Sequence, residues 1–151
     1  MKLENVLIDY EDEETFTTKI IDFGLSKVLT PFSRTNETYG SLLFCSPEIL
    51  LSIPYNLKTD IWSLGVIAFF LEYTVFPFDI KGNEVETETS NKIIMNHLKI
   101  PKNIVEINKR KKDELEATEI MERVIKMCLI KDINQRPDIN KIDAAFVCKS
   151  M

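Results

Sequence analysis

Two short apolar runs open the chain, Val6-Leu7-Ile8 and Lys19-Ile20-Ile21, and the polar, acidic stretch Asp9 to Thr18 separates them. β-Branched runs joined by a solvated connector predict an antiparallel hairpin with an extended loop, tipped by the acidic run Glu11 to Glu14. From Leu25 to Leu43, isolated apolar residues are scattered among Ser, Thr, Pro and Gly with neither a helical nor a strand period. Irregular segments of that length in compact domains are usually functional or mobile. Helical spacing begins after Pro47: Glu48-Ile49-Leu50-Leu51 predicts a short helix ended near Pro54. Thr59 and Asp60 offer N-cap chemistry for Ile61 to Tyr73, whose apolar residues surround the helix and predict the buried central one. Phe76-Pro77-Phe78 ends it, a polar stretch runs from Lys81 to Ser90, and Asn91 to Leu98 predicts a modest helix before Pro101. Ile104 to Lys112 carries no clear period. Ile120, Met121, Val124, Met127 and Cys128 predict a helix over Glu116 to Leu129, and Asp138 caps a last one bearing Ile139, Ile142, Ala145 and Phe146. The sum is a mainly α domain: a small N-terminal β-hairpin followed by a helical bundle around a buried central helix, without internal repeats.

Composition narrows the partners more than the fold. With 44 % hydrophobic and 28 % charged positions, 151 residues suffice for one domain with a core. A net charge of −5 gives no general pull toward nucleic acid or anionic membrane, so neither partner is expected. Trp62 to Phe70 is too short to span a bilayer, and Met1-Lys2-Leu3-Glu4 has no apolar leader region. Cys45, Cys128 and Cys148 lack metal-site or disulfide spacing and are expected as reduced thiols, in a cytoplasmic or nuclear setting. His97 is the only histidine, which disfavours Ser-His-Asp chemistry and His-rich metal sites.

Four short motifs follow one another: Lys2-x-x-Asn5, Asp22-Phe23-Gly24, Ser46-Pro47-Glu48, and Arg136 preceded by Asp132. Each is weak alone. In this order, and with a strand before Asp22 and a helix after Pro47, they resemble the signature set of eukaryotic-type serine/threonine protein kinases over nearly the whole chain. The wording Lys19-Ile20-Ile21-Asp22-Phe23-Gly24-Leu25-Ser26 is most similar to the calcium/calmodulin-dependent and calcium-dependent group, although no D-x-[DN]-x-[DN]-G calcium loop occurs.

The resemblance implies that residues 1–150 are a partial kinase domain: the end of the catalytic loop, the activation segment and the helical lobe. Mg2+ and ATP are the implied cofactors and a protein the implied substrate, with an N-terminal lobe or regulatory domain as a further partner. Asp22 and Asn5 are the implied magnesium ligands and Lys2 the contact to the transferred phosphate. Phe23 is implied to pack and set the active state, with Gly24 supplying backbone freedom. Met1 aligns with the leucine of H-R-D-L-K-x-x-N, so the general-base aspartate is not among these residues. Phosphotransfer by the 151 residues alone is therefore not expected. Gly40-Ser41 through Glu48 resembles G-T-x-x-Y-x-A-P-E, with Ser41 poised for the base and lysine. Glu37 occupies a position that many kinases phosphorylate on threonine, so it reads equally as a built-in negative charge or as a solvated loop glutamate. Thr35, Thr38 and Tyr39 are candidate modification sites. Glu48 and Arg136 are the implied buried ion pair, and Asp60, opening Asp60-Ile61-Trp62-Ser63-Leu64-Gly65, is an implied structural cap of catalytic-loop amides. A pseudokinase-like scaffold acting through the helical lobe is the competing reading, and an unrelated helical interaction domain a third.

Overall fold

The computed structural model describes residues 1–12, 15–30, 33–35, 37, 40–81, 84–101 and 112–147. Thr38, Tyr39, Cys148, the acidic tip at 13–14 and the aperiodic run at 104–111 lie outside the described residues. About half the chain is helical, with a two-stranded hairpin at the N-terminal end.

Strand β1 (Val6–Tyr10) pairs antiparallel with β2 (Phe16–Ile20), in a register that sets Val6 opposite Ile20 and Tyr10 opposite Phe16. The strands thus reach well into the stretch expected as connector. Cross-strand pairs explain this: the Tyr10 and Phe16 rings sit 6.1 Å apart, and Lys19 reaches the Asp9 carboxylate at 2.7 Å. Ile21 falls just beyond β2. Only Val6 of this sheet packs against the core, and only in part; among the described residues of 1–43 none is buried.

The core lies in the helical part. Helix α1 (Pro47–Leu50) is followed by α2 (Lys58–Tyr73), the predicted central helix, which buries Trp62, Val66, Phe69 and Tyr73. Its start lies earlier than expected. Asn56 Oδ1 accepts the Lys58 amide at 3.0 Å, which frees the Thr59 hydroxyl to donate to Glu48 Oε1 at 2.9 Å. Helix α2 ends where Thr74 turns left-handed (φ 57°) and donates its amide to Phe70 O. Helix α3 (Glu86–Met95) also begins earlier than the apolar pattern implied, because Glu86 and Glu88 favour a helix N-terminus and Thr89 is buried beside Ile93. His97 lies exposed beyond its end.

Helix α4 (Lys112–Cys128) packs on α2, burying Val124, Ile125 and Cys128. The two backbones approach so closely at Gly65 that an added methyl would lie 2.5 Å from Cys128 Cβ. Helix α5 (Ile139–Val147) is capped by Asp138, whose Oδ1 accepts the Lys141 amide at 3.1 Å. Only Ile142 of its apolar set is fully buried; Ile139 and Phe146 are exposed, because α5 meets α4 along one narrow edge.

Candidate active site

The hairpin places the two implied metal ligands side by side. Its ladder continues one step past the strands, with Ile21 donating its amide to Asn5 O at 2.9 Å. That step brings Asp22 to Asn5, whose Nδ2 donates to Asp22 Oδ2 at 3.4 Å. Asp22 adopts φ 62°, a left-handed conformation that aspartate tolerates better than most residues, and its Oδ1 lies 3.4 Å from the Gly24 amide. The left-handed residue of this turn is therefore Asp22, where the sequence had assigned the freedom to Gly24. Phe23 is 66 % exposed and packs against nothing in the core, contrary to its expected packing role; the hairpin it follows has no covering layer. Lys2 is half-buried, and its carbonyl accepts the Asn5 amide at 3.1 Å, closing the short 3-10 turn that holds Asn5.

Asp60 is exposed and its carboxylate lies 3.6 Å from the Met1 amino group, so the start of α2 and the start of the chain are neighbours. Gly40 has φ 121°, which an L side chain rarely adopts. Ser41 is exposed; its carbonyl accepts the Phe44 amide at 2.9 Å and Cys45 Sγ at 3.4 Å. The Ser63 hydroxyl donates to Phe44 O at 3.0 Å, fastening this segment to α2.

Glu48 and Arg136 are both buried. Arg136 donates through Nη1 to Glu48 Oε1 at 2.6 Å and through Nη2 to Oε2 at 2.9 Å, a two-pronged contact. Its remaining donors reach Ile130 O, Lys58 O and Lys131 O, and its guanidinium lies 5.1 Å from the Trp62 ring. Trp62 stacks on Phe78 at 5.4 Å, and Lys131 sits over the far ring while donating to Ile94 O at 2.7 Å. Burial pushes the Glu48 carboxyl up, but hydrogen bonds and charge from Arg136 outweigh it and hold the group below the usual range.

Glu37 forms an ion pair with Lys27 Nζ, and its carbonyl accepts the Tyr55 hydroxyl at 2.6 Å. Lys27 and Tyr55 were not singled out in the sequence, and Thr59 was read there as a helix cap, not as a partner of Glu48. Opposite charges flanking an aperiodic loop were the available hint for Lys27; Tyr55 gave none.

The protein kinase domain model matches residues 1–145. The chain belongs to the protein kinase domain family. Among kinases of known description, it is 34 % identical over 105 residues to mouse (Mus musculus) sperm motility kinase Z, covering 69 % of this chain and 20 % of that protein. It is 39 % identical over 102 residues to the probable serine/threonine-protein kinase MARK-A of Dictyostelium discoideum, covering 67 % of this chain and 9 % of the relative. Identity to serine/threonine-protein kinase kin-29 of Caenorhabditis briggsae is 35 % over 102 residues, 67 % of this chain and 12 % of that one. The matched parts thus span a fifth or less of these relatives. Within a kinase domain, Asp22 and Asn5 present an oxygen-bearing pair open to solvent, and no three His, Cys, Asp or Glu side chains gather among the described residues. That donor set fits magnesium, which takes one or two protein oxygens and fills its octahedron with phosphate and water.

Proposed function

We propose that this chain supplies the helical-lobe half of a serine/threonine kinase active site that transfers the ATP γ-phosphoryl group to a protein hydroxyl. The single observation that carries the reading is the Asn5–Asp22 pair, brought together by one extra step of the β-ladder. In this reading Asp22 and Asn5 would hold Mg2+, which supplies charge neutralisation on the nucleotide phosphates. Lys2 orients the phosphate to be moved, and Gly40 and Ser41 present the substrate chain. Glu37 provides a fixed negative charge where many relatives of this type carry a phosphate, so the segment is set without modification; one charge is weaker than the nearly two of a phosphate. Glu48, Arg136 and Asp60 act structurally, and the working compartment is cytoplasmic or nuclear. Affiliation with the calcium/calmodulin-dependent group rests on the wording Lys19 to Ser26, while the relatives named above bear other names.

The 151 residues alone are expected to be inactive, because positioned proton transfer is worth roughly 10²- to 10⁴-fold and the nucleotide clamps more. Fusing an N-terminal lobe and His-Arg-Asp segment from a serine/threonine kinase ahead of Met1 tests the reading. Transfer of labelled phosphate to a generic protein substrate is expected from the fusion, with at least about a hundredfold loss in Asp22→Ala. An inactive but folded fusion, or an Asp22→Ala variant as active as its parent, sinks it. A scaffold acting through the helical lobe is favoured by one observation, that among the described residues burial begins only at Phe44, and an inactive folded fusion is the result it expects.

A further inference from the structure

The segment between Gly24 and Gly40 has no periodicity, yet part of it is tied down at two points that converge on Tyr55, in the loop between α1 and α2, and at a third within the segment itself. Tyr55 and Thr35 exchange both backbone bonds of an isolated antiparallel bridge, Thr35 N to Tyr55 O at 3.0 Å and Tyr55 N to Thr35 O at 2.8 Å. The same tyrosine's hydroxyl donates to Glu37 O at 2.6 Å. From the opposite side Lys27 pairs with the Glu37 carboxylate and lies 3.5 Å from Thr35 Oγ1.

We propose that Tyr55 and Lys27 are positioning residues that clasp the substrate-presenting segment in place through Thr35 and Glu37. The clasp rests on the reading of residues 25–45 as an activation segment. Its geometry has a consequence for how that segment is set. A phosphate-ordered loop needs a cation facing an added charge. Here the cation, Lys27, already has a carboxylate partner, and Tyr55 contributes bonds to backbone atoms that no modification supplies. The two halves of the clasp also differ in chemistry. The Lys27–Glu37 pair is half-exposed, so salt screens it, whereas the Tyr55 bonds are part-buried and largely independent of ionic strength. Because Tyr55 lies in the short loop that follows α1, the clasp couples Thr35 and Glu37 to the helix that carries Glu48, and hence to the buried Arg136.

Backbone hydrogen exchange in the full chain, without nucleotide, tests this independently of phosphotransfer. The Thr35 and Tyr55 amides are followed relative to those of α2. Tyr55→Phe, Lys27→Glu and Glu37→Lys should each speed their exchange roughly two- to fivefold, the range an exposed pair or single hydrogen bond allows. The double variant Lys27→Glu/Glu37→Lys should return to within about twofold of wild type, a rescue that general loosening does not produce. If any of the three single variants exchanges like wild type, if the charge swap fails to restore protection, or if α2 accelerates equally, the clasp is refuted. An inactive fusion kinase with these amides still protected would refute the catalytic reading and leave the clasp standing.

Discussion

Glu48 and Arg136 stand 88 residues apart in sequence and meet in the interior through two charge-assisted hydrogen bonds, with Thr59 donating a third to the same carboxylate. The pair joins α1 to the turn between α4 and α5.

Removing the arginine leaves a buried carboxylate without its cation, and strips donors from three carbonyls and a cation from the Trp62 face. Arg136→Ala should therefore cost about 3–5 kcal/mol, against roughly 0.5 kcal/mol for an exposed arginine such as Arg34. Urea melts of the two variants decide it. Equal midpoints would mean that the buried pair contributes no more than a surface charge.

The same pair carries a pH dependence. Glu48 titrates lower in the folded chain than its ordinary 4.5, because Arg136 outweighs the opposing effect of burial. Its contribution is thus complete above pH 4.5 and lost as pH falls through the lower folded value. Stability should drop on acidification below about pH 4.5, and Glu48→Gln, though less stable throughout, should show a shallower slope there. Melting temperature followed from pH 6 to pH 3 is the measurement; parallel slopes would assign the acid sensitivity to other carboxylates.

Legibility in the sequence followed the range of the interactions. Helices α2 and α4 were readable because their apolar spacing is local, and Pro47 and Asp138 mark helix starts through nearest-neighbour chemistry. The strand halves at Asp9-Tyr10 and Phe16-Thr18 were not, since their stability comes from partners across the hairpin that no local window contains. Helix α3 was placed too late for a similar reason: its first turn is held by charge and by the burial of Thr89, neither of which has an apolar period. At the candidate site, the motif residues Asn5 and Asp22 were legible by resemblance, but their adjacency depends on ladder register. Tyr55 was invisible, and Lys27 left only its charge as a hint, because an aperiodic loop gives no rule for what will face what.

Cys128 lies fully buried where α2 and α4 cross, and burial pushes its thiol pKa up to about 12. At pH 8 only roughly one thiol in ten thousand would be ionised, against a sizeable share of a free cysteine with pKa about 8.5. Iodoacetamide should modify Cys128 more than about a thousandfold slower in the folded chain than in urea, and the buried Cys45, its pKa also raised by burial, should be protected too. Site-resolved mass spectrometry of the alkylated chain reads this out. Native-state labelling of Cys128 at the rate of a free thiol would show that the α2–α4 contact opens readily.

The hairpin makes the opposite prediction, because Leu7, Ile8 and Ile20 are each about half exposed on a sheet that meets the core only through Val6. A lone two-stranded sheet is marginal in water, and here it adds apolar surface without adding buried area. Leu7→Lys and Ile8→Lys should then shift unfolding free energy by no more than about 0.5 kcal/mol while lowering aggregation. Ile125→Ala, which empties a fully buried position on α4, should cost about 2–5 kcal/mol. Denaturant melts and light scattering on the three variants test the contrast. Should Leu7→Lys prove as costly as Ile125→Ala, the hairpin must be packed against a surface, and the exposed apolar face would be its interface in solution. If the costs separate as expected and the lysines also suppress aggregation, that face is what makes the chain self-associate.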